Sequence, residues 1–340
     1  MAEEQGPSSI LSNETIRLPH KPNATLSYGF TEGRGNLGDT HLLVFLSGLL
    51  GTQSGWHETV ERLTKSWEDD DNNNRPALLT YDRYGQGQSA RDPYDETNEF
   101  GHDLHEVVQD LKALASEVWK SKMPSPQPPS RSSIKDEPKL IFVANSVGCV
   151  IGRFFAQVYP GTTSALLFLD SNIANSDQVS LFPDPDARDF DPDSLPADVT
   201  IDDLRQARKH YHDMFSPDMP NPENFNRSNI PDLLPHADSP ALKGSEPGGC
   251  GPWITVVGHD WDKFAEDGAD GSLSCPKSLT NAYVNPAWGR YNTGLVQLTS
   301  DGRGEGPIIA ENCGHFIQKD DPSLVARLTQ ELLAKVVDNQ

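Results

Sequence analysis

A serine that directly follows a predicted strand is the first residue in this sequence whose position suggests chemistry. Residues 140–144 form an apolar run, and Ser146 follows it in a small-x-Ser-x-Gly pattern with Ala144 and Gly148. A helix is predicted to begin near Val147. A turn this tight requires small residues two positions before and after the serine, and it exposes the hydroxyl beside a helix N-terminus. The pattern indicates a nucleophile next to an oxyanion donor.

A histidine near the end of the chain has the position expected of a base for Ser146. Residues 307–310 predict a last short strand, and Gly314-His315 follows it, ahead of an amphipathic helix predicted at 322–337. A single histidine is more often structural than catalytic. Its place after the last strand and downstream of Ser146 favours catalysis, because an imidazole can take the serine proton during attack on a carbonyl.

Three aspartates are candidates for the acid that would orient His315. Asp260 is our first choice, because it follows a strand predicted at 254–257 and gives the chain order Ser, Asp, His. Asp170 is an alternative, since it ends the strand after the serine and a carboxylate there could also reach the histidine. Asp262 is a further alternative close to Asp260. The acid would hold the imidazole in the required tautomer and stabilise the imidazolium.

The second oxyanion donor is expected from a glycine turn near the start of the domain. Residues 41–46 predict a buried strand that ends in Ser47-Gly48-Leu49. We assign the two donors to the backbone N–H groups of Leu49 and Val147, which would hold the oxygen that becomes negative in acyl transfer.

Apolar runs that alternate with helical patterns must position these residues. Such alternation predicts an α/β fold with a mostly parallel sheet and helices on both faces. Residues 171–250 interrupt the pattern, since they are rich in Asp, Pro and Asn and contain one clear helix near 200–214. We predict that this segment is a cap or lid. The predicted domains are a tail at 1–12, a core at 13–170 and 251–340 with a flexible loop at 122–138, and the cap at 171–250.

These signals together resemble the serine-nucleophile branch of the α/β-hydrolase fold superfamily over about residues 12–340. The turn at 82–89, Asp-Arg-Tyr-Gly-Gln-Gly-Gln-Ser, is similar to a turn that members often contain, and we interpret Asp82 as structural. The general character of the sequence resembles fungal members. Two positions depart from the family's usual pattern: Ala144 stands where glycine is common, and Ser47 stands where histidine is common before Gly48.

The resemblance implies a serine hydrolase that acts on a small-molecule carboxylic ester, lactone or thioester through an acyl-enzyme on Ser146. No metal or organic cofactor is implied. Serine at this position argues against epoxide hydrolases and haloalkane dehalogenases, in which resembling families use an aspartate there. Two alternatives stay open: a biosynthetic lyase or cyclase that uses the triad for acid–base chemistry, and a non-catalytic small-molecule binding protein. The second is disfavoured because all three triad residue types occur in order.

The composition disfavours some classes of binding partner. The formal net charge is −22, from 28 Lys and Arg against 50 Asp and Glu, and such a surface repels nucleic acid and anionic membranes. No apolar run is long enough to span a bilayer and the first residues do not resemble a signal peptide, so we expect a cytoplasmic protein.

The cysteine spacing matches no zinc site, and a Cys250–Cys275 disulfide is an alternative to free thiols. The oligomeric state is open.

Overall fold

A computed structural model of the chain describes residues 11–68, 74–98, 100–123, 137–245, 249–271 and 273–338. Most of the predicted tail at 1–12 and of the predicted flexible loop at 122–138 lies outside the described residues.

Eight strands form one mostly parallel sheet in the order β1-β2-β4-β3-β5-β6-β7-β8. The β1–β2 and β2–β4 pairs are antiparallel, and all later pairs are parallel. This confirms the predicted α/β architecture. The strands are β1 (Glu14–Leu18), β2 (Lys21–Thr31), β3 (His41–Leu46), β4 (Ala77–Tyr81), β5 (Lys139–Ser146), β6 (Thr163–Ser171), β7 (Trp253–His259) and β8 (Gly304–Ala310).

Helices cover both faces of the sheet. On one face, Val60 and Leu63 of α2 pack with Leu328 and Leu332 of α11. A second apolar cluster on the opposite face joins α3, α4 and α9. The helices are α1 (Gly35–Thr40), α2 (His57–Glu68), α3 (Leu104–Lys122), α4 (Val147–Val158), α5 (Ile201–Phe215), α6 (Ile230–Leu233), α7 (Trp261–Asp270), α8 (Lys277–Leu279), α9 (Asn285–Val296), α10 (Ile317–Asp320) and α11 (Pro322–Val337).

The last strand begins three residues earlier than its apolar run predicts. β8 starts at Gly304, whereas the prediction began at residue 307. As the edge strand, β8 pairs only with β7, and much of its length is at least partly exposed. The first three residues therefore need no apolar side chains, so an apolar run could not indicate them.

The segment at 171–250 connects β6 to β7 and contains α5 and α6. The helix predicted near 200–214 is α5, which begins with a capping box between Thr200 and Asp203. Much of the remaining chain here is irregular, and two arginines donate to its backbone carbonyls. Arg208 contacts the oxygens of residues 179, 182 and 183, and Arg227 contacts those of residues 215, 216 and 219. These bonds satisfy carbonyls that have no place in a regular ladder.

All four cysteines are free thiols, so Cys250 and Cys275 are not bridged. Within the part of the chain that the structure describes, no helix has both the length and the apolar character needed to cross a membrane.

Candidate active site

Ser146 lies at the tight turn between β5 and α4. Its backbone has φ 57° and ψ −125°, a sparsely populated conformation for a residue with a side chain, and the residue is 8% exposed. Gly148 explains why the turn needs small residues. A Cβ at Gly148 would lie 2.2 Å from the carbonyl oxygen of Leu46, closer than van der Waals contact allows. Ala144, the other small residue of the pattern, is fully buried in the sheet.

His315 is hydrogen-bonded to Asp170. The distance between His315 Nδ1 and Asp170 Oδ2 is 2.6 Å; the carboxylate is fully buried and the imidazole is 23% exposed. Burial opposes ionisation of Asp170, but His259 and His315 outweigh that effect and lower the pKa of the carboxyl group. Asp170 is therefore an anion at neutral pH.

A bulge at the end of β6 directs Asp170 toward the histidine. Asn145 pairs with Leu169, but Ser146 pairs with Ser171, so Asp170 is an extra residue in the ladder. Its φ of 46° is positive. Extra residues of this kind redirect side chains at strand ends.

Asp260, our first choice for the acid, does not contact His315. One carboxylate oxygen accepts from the N–H groups of Asp262 and Lys263 and caps α7, and the other accepts from the Asn312 N–H at 3.0 Å. These bonds lower the pKa of Asp260, with Asn312 as the main cause. The hydrogen bond predicted for Asp260 is thus made by Asp170. The physical reason is that His259, the last residue of β7, lies directly before Asp260 and takes the position facing Asp170.

Asp262, the other alternative, is exposed in the first turn of α7. Among the three aspartates named from the sequence, only Asp170 is hydrogen-bonded to His315.

Asn145 connects the serine turn to the histidine loop. Its Nδ2 donates to the carbonyl oxygens of Leu169 at 3.0 Å and of His315 at 2.9 Å. Its Oδ1 accepts from Gln318 Nε2 at 3.2 Å. The amide is fully buried, so the residue beside Ser146 holds the backbone of His315 in place.

The loop expected to supply an oxyanion donor lies against Ser146. A Cβ at Gly48 would be 3.1 Å from Ser146 Cβ and 3.6 Å from its Oγ, so the loop backbone approaches the hydroxyl closely. Leu49 follows Gly48 directly. On the other side, Val147 is the first residue of α4, and the Ser146 side chain makes no capping bond to that helix. The donor roles of Leu49 and Val147 stay predictions.

Two side chains that were not selected from the sequence, Arg83 and Glu223, hold the backbone of the loop at residues 47–50 in place. Arg83 Nη1 donates to the Ser47 oxygen at 2.6 Å and Nη2 donates to the Gly48 oxygen at 2.8 Å. Glu223, from the 171–250 segment, is paired with Arg83 and accepts from the N–H of Leu50. Arg83 lies within the Asp-x-x-Gly-x-Gly-x-Ser turn, which was a usable signal, whereas nothing in the sequence marks Glu223.

Comparison with known proteins gives the family. The sequence model of the alpha/beta hydrolase family matches residues 43–328, most of the chain. The chain belongs to the alpha/beta hydrolase family. This confirms the resemblance to the superfamily, whereas the likeness to fungal members stays a prediction. No curated protein sequence matches the chain.

Solved structures of other alpha/beta hydrolases are similar in fold at low sequence identity. Alpha/beta hydrolase domain-containing protein 10 from mouse is 13% identical, with TM-score 0.53 over 96% of this chain and 99% of that one. A haloalkane dehalogenase from Bradyrhizobium elkani is 14% identical, with TM-score 0.53 over 97% and 100%. An epoxide hydrolase from Vigna radiata is 12% identical, with TM-score 0.52 over 97% and 100%. Family and fold together identify an enzyme of the hydrolase type.

This hydrolase has no cluster of three or more His, Cys, Asp or Glu side chains arranged for a metal ion among the described residues. The structure places the buried Asp170 carboxylate against the His315 imidazole and the Gly48 backbone against the Ser146 side chain.

Proposed function

We propose that this hydrolase cleaves small carboxylic esters, lactones or thioesters by acyl transfer through Ser146, with His315 as the base and Asp170 as the acid. The observation that carries the proposal is the 2.6 Å hydrogen bond between His315 and Asp170 in a chain whose nucleophile turn bears a serine.

The hydrogen bond to Asp170 determines which imidazole nitrogen acts as the base. Because Nδ1 of His315 donates to the carboxylate, Nε2 is free of a proton and can accept one from the Ser146 hydroxyl. The ionised, buried Asp170 also stabilises the imidazolium that forms. A neutral partner at this position would allow the other tautomer, in which Nε2 holds the proton and cannot act as a base.

Acylation and deacylation then use the same groups. Ser146 Oγ attacks the carbonyl carbon as His315 takes its proton, and the N–H groups of Leu49 and Val147 stabilise the oxyanion. The imidazolium returns the proton to the departing alcohol or thiol, which leaves an acyl ester on Ser146. A water molecule gives a proton to His315 and attacks this ester. Collapse of the second intermediate releases the carboxylic acid and returns the proton to Ser146.

The type of nucleophile separates this proposal from two named structural neighbours. The similarity to a dehalogenase and an epoxide hydrolase concerns the fold alone, because the sequence identities are 14% and 12%. An aspartate nucleophile would form an ester by alkylation at a carbon bearing halide or an epoxide oxygen. The alcohol of Ser146 is instead suited to attack at a carbonyl.

We also propose that the 171–250 segment is the cap of this site. It leaves the sheet after Ser171, the last residue of β6, at the carboxyl ends of the strands where ligands bind in such folds. Its Glu223 contacts Leu50 and Arg83, beside the loop that approaches Ser146. A cap with these contacts would shape the substrate pocket, so the substrate class depends largely on its side chains.

A fluorophosphonate probe tests the nucleophile directly. Incubation of the full chain should add one phosphonyl group, and digestion with mass spectrometry should locate it on the peptide containing Ser146. A panel of p-nitrophenyl esters, lactones and thioesters of graded acyl length then tests the reaction, with Ser146→Ala as the control. Labelling at another residue, or equal turnover by the control, would overturn the proposal.

A further inference from the structure

The Asp170 carboxylate contacts two histidines. Oδ2 lies 2.6 Å from Nδ1 of His315, and Oδ1 lies 2.8 Å from Nδ1 of His259. The backbone N–H of His259 also points to Oδ1, at 3.3 Å. The mechanism proposed above uses His315 and gives no role to His259, which is buried at the end of β7.

Both ring nitrogens of His259 face hydrogen-bond acceptors. Nε2 lies 3.0 Å from Oδ1 of Asn285. The orientation of this amide follows from its other contacts, because Nδ2 donates to the carbonyl oxygen of Trp261 at 3.1 Å and to Oδ1 of Asn281 at 2.7 Å. A neutral imidazole has only one N–H to donate. Only the doubly protonated, cationic ring satisfies the Asp170 and Asn285 oxygens together.

The surroundings of His259 suit a cation. The ring stacks on Phe264, with centroids 4.0 Å apart and planes 16° apart, and it meets Trp288 edge-on at 5.5 Å. An aromatic face attracts a positive charge. The ionisable groups around His259 are Asp170 from β6, Asp260 at the start of α7 and, across the Asp170 carboxylate, His315.

Opposing effects act on the protonation of His259 and Asp170. Burial disfavours the imidazolium, but the Asp170 carboxylate and the Asn285 oxygen outweigh it and raise the pKa of His259, and Asp260 acts in the same direction. Burial also disfavours the Asp170 anion, but the two histidines outweigh it and lower the pKa of Asp170. Both shifts favour the ion pair.

We propose that His259 is a cationic positioning residue for the active site: it fixes the Asp170 carboxylate and balances its charge before the reaction. This inference rests on the proposed roles of Asp170 and His315. A positive charge on the far side of the carboxylate disfavours a second positive charge on His315.

The substitution His259→Asn removes the positive charge at this position but keeps a hydrogen-bond donor to Asp170. Its amide Nδ2 occupies about the position of the imidazole Nδ1 and can still donate to Asp170, but it is neutral. We expect the acid limb of the kcat/KM profile for a p-nitrophenyl ester to move to higher pH by about one unit. One unit below the wild-type midpoint, the variant should therefore be several-fold slower, with KM little changed. An unchanged acid limb, or a shift to lower pH, would overturn the proposal.

The matched control is His20→Asn. His20 also contacts a carboxylate, with Nε2 2.7 Å from Asp110, but it lies in the turn between β1 and β2, away from Ser146. This variant should keep the wild-type pH profile. A second active-site variant, Asn285→Ala, removes the acceptor facing Nε2 of His259, and we expect a smaller shift in the same direction as for His259→Asn.

A readout that needs no substrate distinguishes this inference from the proposed function. Nitrogen-15 NMR of histidine-labelled protein reports whether each ring is neutral or cationic, and the signal lost in His259→Asn identifies His259. At pH 6.5, the ordinary pKa of a histidine, we expect His259 mainly as the imidazolium, because its pKa is raised; a mainly neutral ring there would overturn the inference even if the enzyme is active. Absence of both ester turnover and Ser146 labelling would instead contradict the proposed function, while the NMR result would still decide the charge of His259.

Discussion

Arg83 and Glu223 form a buried ion pair that connects the 171–250 segment to the loop beside Ser146. Arg83 Nη2 lies 3.1 Å from Glu223 Oε2, and neither side chain is appreciably exposed. Arg83 also donates to the two carbonyl oxygens of Ser47 and Gly48, and Glu223 accepts from Gln86 at 2.7 Å. The backbone that approaches Ser146 is therefore held by charges from two distant parts of the chain.

Glu223→Gln should destabilise the protein and slow the reaction. The substitution leaves a buried arginine without its counterion, a change that typically costs about 3–5 kcal/mol. The loop should also lose order, so kcat should fall more than KM rises. Thermal unfolding and ester kinetics measure the two effects.

The Arg62–Glu58 pair supplies a control for Glu223→Gln. It is also an Arg–Glu contact, at 3.2 Å, but both side chains are largely exposed on α2. Surface pairs contribute little to stability. Glu58→Gln should therefore leave the unfolding temperature and kcat near wild type, and equal effects from the two variants would contradict a special role for the buried pair.

Ser146→Ala should abolish turnover without unfolding the protein. We expect kcat to fall by several orders of magnitude, because the nucleophile acts in the chemical step and its hydroxyl makes no cap bond to α4. Alanine and serine experience similar strain at this positive φ, so the unfolding temperature should change little. Retention of more than about a tenth of wild-type kcat would exclude Ser146 as the nucleophile.

The elements that were predicted from sequence are those set by local patterns. Apolar runs indicated β3, β5, β7 and β8, and the small-x-Ser-x-Gly turn at Ser146 needed only its neighbours in the chain. The Gly314-His315 pair was found because it follows the last strand. Arg83 and Glu223 are 140 residues apart in the sequence, and Glu223 lies in an irregular segment. No periodic pattern could therefore indicate their contact.

The choice between Asp170 and Asp260 depended on details that a sequence does not contain. Both residues lie at the ends of neighbouring parallel strands, β6 and β7, so topology alone allows either. The bulge at Asp170 directs its side chain toward His315. At the end of β7, His259 takes the position facing Asp170, and Asp260 follows it outside the strand. The order Ser, Asp, His is satisfied in both cases, so chain order could not distinguish them.

Asp170→Asn should lower kcat far more than Asp260→Asn. By analogy with other triads, loss of the carboxylate that orients the histidine costs on the order of 10⁴ in kcat. Asp260 instead caps α7 and bonds the Asn312 N–H, so its loss should mainly reduce stability, by about 0.5–2 kcal/mol. Steady-state kinetics and thermal unfolding of both variants rank the two effects. The reverse ranking in kcat would return the acid role to Asp260.

The Asp170–His259 pair should make stability depend on pH in a defined window. The lowered pKa of Asp170 means that its contribution is present above the ordinary carboxyl value of about 4 and is lost as pH falls through the lowered pKa. The raised pKa of His259 means that its contribution is complete below about 6.5 and is lost as pH rises through the raised pKa. Together, the pair stabilises the folded state most between about pH 4 and 6.5.

The difference in unfolding temperature between wild type and His259→Asn measures this contribution directly. It should be largest near pH 5–6 and should narrow as pH rises through the raised pKa of His259, because the wild-type ring then loses its proton and the variant has none to lose. Calorimetry in closely spaced buffers from pH 4.5 to 9, at constant ionic strength, would trace the curve. His20→Asn is again the matched substitution, at a partly exposed histidine. A difference for His259→Asn that stays constant or grows toward pH 9 would mean that the wild-type ring is neutral, and the charge assigned to His259 would then be wrong.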